Sequence, residues 1–408
     1  MMHSEFRRDW GTVLASTVGV MASCITLVNY SLGVFVLPLT AEFGWARRDI
    51  MLATTFVSTG ALLTSFMAGW LADRINLGWL IAVSQIMFGL AFCALSVFTN
   101  NLTVFYGIYL SMAFFAGGTL PITFTKIVAS RFERHRGLAI GLTLAGTGLS
   151  GFIVPPVVGY FVNTYGWRVG YLAVAAFPLL LAMPLSLLFL RRATPAANAV
   201  SGIASYGMTL AEAVRTWRYW VMVVAFFVAS AAATVVSANA VPLLIGRGFE
   251  AQTAANLAGI YGLAVIAGRI IVGSLADKFW APPIALAVLV PSAVATVLLV
   301  TIPLNVPIAL LLIAILGLGT GAEGDLLSYI VTRYFGIKAY GKIFSGIFVA
   351  FIAAIAITAP LSGLAYDMTK SYTPAMLAAA GGWLLCGLLF MTLGPYPKWQ
   401  TDPSAAAR

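Results

Sequence analysis

The chain has 408 residues, 61% of them apolar and 9% charged, with a formal net charge of +10. A soluble globular chain carries about 25% charged residues, so composition argues against a water-soluble enzyme, a disordered protein and a nucleic-acid module. Three cysteines (Cys24, Cys93 and Cys386) and two histidines (His3 and His135) are scattered through the chain, which suggests neither a disulfide framework nor a metal cluster.

A bilayer-crossing helix needs about 20 predominantly apolar residues. After the polar stretch Met1 to Asp9, the first apolar run, 12–40, is too long for a signal-peptide core of about 7–15 residues and reads as a retained span. Eleven more runs follow: 50–72, 78–98, 103–130, 137–162, 168–190, 217–245, 252–276, 281–302, 307–332, 340–365 and 373–394. The longest polar break, 191–216, divides the twelve spans six and six. With the N-terminus in the cytoplasm, sixteen Lys and Arg fall on the cytoplasmic side and five (Arg47, Arg48, Arg168, Arg247 and Lys370) on the other, while Lys126 and Arg269 lie inside spans. That bias predicts both termini in the cytoplasm and explains the basic charge without a nucleic-acid partner; the expected location is a bacterial inner membrane.

The two halves match at an offset of 204 residues. Pro38 pairs with Pro242, Gly117 with Gly321, Pro156 with Pro360 and Gly159 with Gly363. Gly69-Trp70-Leu71-Ala72-Asp73-Arg74 pairs with Gly273-Ser274-Leu275-Ala276-Asp277-Lys278. Two six-span halves of the same topology are parallel repeats about an axis along the membrane normal. The predicted fold is therefore an all-α integral membrane protein of twelve transmembrane helices. A six-helix bundle (1–190) is joined by a cytoplasmic linker (191–216) to a second bundle (217–408).

The repeated six-residue string, at the cytoplasmic ends of spans 2 and 8, resembles the signature loop of the major facilitator superfamily, and the resemblance covers essentially the whole chain. The glycine allows close helix approach, and Asp73, Arg74, Asp277 and Lys278 are candidate gating residues. A narrower resemblance is to monocarboxylate transporters and oxalate:formate antiporters. It is carried by Leu32-Gly33-Val34-Phe35 through Phe43-Gly44-Trp45-Ala46-Arg47-Arg48, by Arg136-Gly137-Leu138-Ala139-Ile140-Gly141, by Gly166-Trp167-Arg168 and by Ala267-Gly268-Arg269. Span 5, with Gly141, Gly146, Gly148, Gly151, Pro155, Pro156 and Gly159, partly resembles the antiporter motif of drug exporters.

A charge near the bilayer centre costs about 2.5–3.5 kcal/mol on insertion scales, so it usually lines a cavity or has a partner. Arg269 lies eight residues before Asp277, about 12 Å along a helix and hence near mid-membrane. The resemblance implies that it binds the substrate carboxylate; the alternative is a structural ion pair with span 10. Glu323 and Asp325, in span 10, are candidates for proton coupling, with a permanent salt bridge or a packing hydrogen bond as the alternative. Val265 stands where the animal monocarboxylate transporters carry an aspartate, and Asn29-Tyr30-Ser31 where they carry a lysine. Either span 10 has taken over proton coupling or no proton is involved. We assign Asn29 and Tyr30 to the substrate site. Phe115, Phe124, Tyr261, Tyr329, Phe348 and Phe351 are candidates for its apolar wall or for ordinary helix packing. Lys126 is either a second anion contact or a side chain reaching the cytoplasmic headgroups.

These readings predict a secondary transporter of small organic anions, a proton-coupled monocarboxylate symporter that works by alternating access as a monomer. They call for no cofactor and no metal. The alternatives are an organic anion exchanger of the oxalate:formate type and a drug-efflux proton antiporter, the latter weakened by the absence of a mid-membrane acid in spans 1–6.

Overall fold

The computed structural model describes residues 3–72, 76–132, 136–190, 207–276, 279–336 and 338–397. Asp73, Arg74, Asp277 and Lys278 lie outside the described residues, as do the side chains of Lys126 and Asp325.

The described elements are helical apart from an isolated bridge between Gly207 and Gly336. The N-terminal helices are α1 (His3–Met21), α2 (Cys24–Phe43), α3 (Arg47–Ala72), α4 (Leu77–Phe98), α5 (Leu102–Phe115), α6 (Pro121–Arg131), α7 (Arg136–Tyr165), α8 (Trp167–Ala176) and α9 (Met183–Phe189). After the short α10 (Leu210–Val214) come α11 (Trp217–Gly246), α12 (Ala251–Ala276), α13 (Ala281–Thr301), α14 (Val306–Phe335), α15 (Tyr340–Thr369) and α16 (Thr373–Thr392). Among the described residues, ten helical segments are long and apolar enough to cross a membrane, which makes the chain an integral multi-pass membrane protein.

Local chemistry sets the helix ends. Gly44 closes α2 in the left-handed region (φ 67°) and returns its N–H to the Thr40 carbonyl, a conformation that favours glycine. The Asn76 side chain accepts the first free N–H groups of α4, and Asn305 does the same for α14. Thr209 and Glu212 form a reciprocal capping box on α10.

Three predicted spans are interrupted. The first is two helices that meet at an extended Ser23 (φ −72°, ψ 152°). The fourth passes through a 3₁₀ turn at Ala116–Thr119 and an extended Leu120 before α6 starts on Pro121. Two glycines and a proline without an N–H cannot carry the α-helical ladder through that point. The sixth widens into a π-helical turn, Phe177–Ala182, where Pro178 sits among the first residues. The break leaves Leu102–Phe115 too short to be counted among the ten, and the side chains of 62–72 in α3 lie outside the described residues.

The 204-residue offset reappears in the helix boundaries. Shifted by 204, α3 falls on Ala251–Ala276, the bounds of α12, and α7 falls on Tyr340–Thr369, the bounds of α15. The starts of α4 and α5 fall on those of α13 and α14. Three long seams join helices before residue 190 to helices after residue 217: α7 with α12, α3 with α15, and α2 with α11. The first two exchange under the same shift.

The α7–α12 seam is a backbone contact. A Cβ on Gly262 would run into the backbone of Gly151 and Phe152, and one on Gly148 into Ile266. Small residues allow this approach between membrane helices. The α3–α15 seam closes through polar groups where α2 hands over to α3. The Arg47 and Arg48 N–H groups donate to Asp367 Oδ1 and Oδ2 at 3.2 and 3.0 Å. The Arg47 guanidinium lies 3.6 Å from the centre of the Tyr366 ring and donates to the Tyr372 hydroxyl. The positions 204 residues away, Asn163 and Gln252, also meet, Nδ2 to Oε1 at 3.4 Å.

Candidate functional site

Arg269 and Glu323 come together in the interior, on α12 and α14, close enough for the guanidinium charge to act on the carboxylate. Glu323 is 5% exposed. Tyr261, Val265 and Arg269 recur every four residues, so they share one face of α12. Thr320 precedes Glu323 by three residues, which places both on one face of α14.

The tyrosines complete the group. The Tyr261 hydroxyl lies 2.7 Å from Thr320 Oγ1. Thr320 donates its single proton to the Leu316 carbonyl at 3.2 Å, so Tyr261 is the donor in the pair between them. Tyr30 enters from α2. Its ring meets that of Tyr261 edge-on, with centroids 6.4 Å apart, and both Arg269 and Glu323 act on it electrostatically. A Cβ on Gly151 of α7 would touch the Tyr30 ring at 3.0 Å, so the glycine seam makes the room in which the ring lies. Beside Tyr30, Asn29 Nδ2 donates across the α2–α11 seam to Ser237 Oγ at 3.4 Å. Ser237 passes its own proton to the Thr234 carbonyl. Among the described residues, two buried acceptors of this group have no hydrogen-bond partner, Asn29 Oδ1 and Glu323 Oε1.

Of the predicted site residues, the structure therefore brings together Tyr30, Tyr261, Arg269 and Glu323, with Asn29 next to them in chain and on the seam. Others make contacts of their own. Phe115 stands half exposed at the end of α5 against Phe114. Phe124 is fully buried in a cluster with Ala15, Val20 and Ile127. Tyr329 lies under the Arg333 guanidinium, 5.5 Å from ring centre to charge. Phe344, Phe348 and Phe351 stack in a row along α15 at 5.5 and 5.3 Å.

Thr320 and Ser237 escaped the sequence reading. A hydroxyl three residues before a buried acid is the signal that could have found Thr320; Ser237, inside an apolar run, offers none. The seam residue Asp367 also went unread, because a carboxylate at the end of a span looks like an ordinary loop charge.

An arginine and an acid brought together in the interior beside two tyrosines, one of them on α2 from the other half of the chain, suit a membrane protein that handles a polar solute. Consistent with this, residues 18–323 match the model of the Major Facilitator Superfamily, and the chain belongs to that family of transporters. It is 27% identical over 388 residues to monocarboxylate transporter 13 of Bos taurus, covering 93% of this chain and 88% of that protein. It is 24% identical over 354 residues to YhjX of Escherichia coli, an uncharacterized MFS-type transporter, covering 85% and 87%. In structure it is similar to a bacterial homolog of the human lysosomal transporter Spinster, solved inward-facing and occupied, with a TM-score of 0.74 and 14% identity over 96% of this chain and 97% of that one.

Proposed function

We propose that this transporter carries small organic anions, specifically monocarboxylates, in symport with protons by alternating access. The observation that carries the reading is the approach of Arg269 to Glu323 in the interior, beside Tyr30 and Tyr261. A guanidinium always stays charged and can hold a carboxylate through two parallel hydrogen bonds. Without substrate, Arg269 leans on an acid of α14. An arriving carboxylate replaces that acid with better geometry. Glu323, its compensating charge engaged elsewhere, would remain as an ion in an apolar enclosure, which is costly. Taking up a proton removes that cost, so substrate and proton cross together. Asp325, two residues on, is the other candidate for this step.

The rest of the reading follows from the repeat. Twelve spans form two six-helix repeats, 1–190 and 217–408, linked by 191–216 and related by an approximate twofold axis along the membrane normal. The matching helix boundaries and exchanging seams support this. The repeats rock about the substrate site, with Asp73, Arg74, Asp277 and Lys278 gating one end. Asn29, Tyr30 and Tyr261 contact the substrate, while Phe115, Tyr329, Phe348, Phe351 and Lys126 line its approach. The distribution of Lys and Arg supports cytoplasmic termini, in a bacterial inner membrane, and each chain works as a monomer.

The test is uptake of a panel of labelled monocarboxylates into proteoliposomes holding the purified protein, with and without an imposed pH gradient. Accumulation driven by an alkaline interior supports symport. Exchange that ignores the gradient would indicate an anion exchanger instead, and uptake of none of the acids would refute the organic-anion reading.

A further inference from the structure

The three interrupted spans all belong to the N-terminal half. Shifted by 204, Ser23 falls on 227, the 3₁₀ turn on 320–323 and the π-helical turn on 381–386, and these positions lie within the unbroken helices α11, α14 and α16. The interruptions are also neighbours. The Cys24 N–H at the start of α2 donates to Thr119 Oγ1 at the end of the 3₁₀ turn, at 3.2 Å. A Cβ on Gly118 of that turn would meet Ser84 Oγ on α4, and one on Gly89 of α4 would meet Leu179 of the π-helical turn. Gln85 stands on α4 between those two contacts. The repeat places Leu289 at the corresponding position of the second half, so the polar side chain belongs only to the half whose spans are broken.

Gln85 is fully buried, and neither end of its amide has a hydrogen-bond partner among the described residues. Ser16 on α1 and Ser186 on α9 are fully buried too, and their hydroxyls likewise have no partner among the described residues. Ile81, Val20 and Leu190 belong to one buried cluster. Gln85, Ser16 and Ser186 each lie four residues from one of these three, and residues at that spacing share a face. α9 packs against both α1 and α4. Polar atoms left dry in such a place are costly, and irregular backbone inside a membrane protein is tolerated where it is buried in protein or lines hydrated space.

We propose that Gln85, Ser16 and Ser186 hold ordered water in the interior of the N-terminal half, where spans 1, 4 and 6 are interrupted. The chemistry selects water over an ion. Residues 10–41, 77–132 and 136–190, which supply the walls, contain no Asp or Glu to balance a cation. A cation would leave the amide N–H groups without an acceptor, and an anion would leave the amide carbonyl without a donor. Water both donates and accepts, and a buried water makes about three hydrogen bonds to groups of this kind. The same water offers partners to backbone groups released at the breaks. The site is independent of the solute carried, since α1, α4 and α9 supply no member of the group around Arg269 and Glu323.

X-ray radiolysis of the purified, unsubstituted protein tests this, because hydroxyl radicals made from bound water modify the nearest side chains even where bulk water is excluded. Phe88, three residues from Gln85, and Phe124, in the cluster with Ile81, are the reporters. Phe226 and Phe390, buried edge to face in the C-terminal half, are the controls. The reporters should be hydroxylated about fivefold faster than the controls or more, and in Gln85→Leu, which keeps the volume and removes the amide, the ratio should fall to within about twofold of unity. Ser16→Ala combined with Ser186→Ala should lower it part of the way, and serves if Gln85→Leu does not fold. Equal rates in the unsubstituted protein would overturn the inference, as would a ratio unchanged in the variants. Thermal stability should be equal in sodium and choline chloride; stabilisation by sodium that is lost in Gln85→Leu would overturn water in favour of a cation.

Discussion

Gly262 is the position at which one added methyl group should reveal most about how the helices move. A Cβ there would meet the Gly151 carbonyl carbon and the Phe152 amide nitrogen. Backbone atoms cannot step aside as the tip of a flexible side chain can, so Gly262→Ala must push α12 off α7. Overpacking of this kind costs about 1–3 kcal/mol. Set against one arrangement of the helices, that corresponds to a shift of about 5- to 150-fold toward an arrangement in which the seam is slack. Gly141→Ala, on the same α7, is the control, because nothing lies within 4 Å of a Cβ there. Spin labels at the exposed positions Tyr160 on α7 and Leu263 on α12 would report the separation as a distance distribution. Gly262→Ala should move the distribution to longer distances and alter the transport rate, and Gly141→Ala should do neither. An unchanged distribution in correctly inserted Gly262→Ala protein would refute the reasoning, since the two backbones could not then be in contact.

Three further outcomes are expected. Arg269→Lys keeps the charge but loses the planar fork, so carboxylate transport should fall by about tenfold or more while the protein still inserts, as judged by size-exclusion chromatography in detergent. Glu323→Gln should abolish accumulation driven by a pH gradient and spare exchange of labelled for unlabelled carboxylate; intact gradient-driven uptake would move the coupling role to Asp325. Asp367→Asn removes a charge from the N-terminus of α3, where a negative group is worth about 0.3–2 kcal/mol. It should therefore raise the rate at which a cysteine placed at Ala46 is modified by a membrane-impermeant reagent by a few-fold.

The repeat was the most legible part of the fold. One offset of 204 residues, visible in Pro38 and Pro242 and in the paired six-residue strings, recovers the bounds of α12 and α15 from those of α3 and α7. The interruptions at Ser23 and Ala116–Thr119 were not read, because an apolar run looks the same whether its backbone is continuous or broken. In the site, Arg269 and Glu323 stood out because a charge in an apolar span is costly. Counting residues to a cytoplasmic marker gave their depth. Tyr261 was one of several aromatics with equal claims, and only its approach to Thr320 and Tyr30 separates it from Phe115 or Phe348. The pairing of Asp367 with the start of α3 spans 320 residues of sequence, a separation at which a local motif carries no information.

On the proposed reading Arg269, close to Glu323 and Tyr30, anchors the substrate carboxylate. Equilibrium binding of labelled monocarboxylates to purified protein tests it most directly, with the unsubstituted chain compared with Arg269→Ala. The unsubstituted protein should bind them, and Arg269→Ala should not. Unchanged affinity in a correctly folded Arg269→Ala protein would contradict it, and would remove both the carboxylate site and the organic-anion reading built on it.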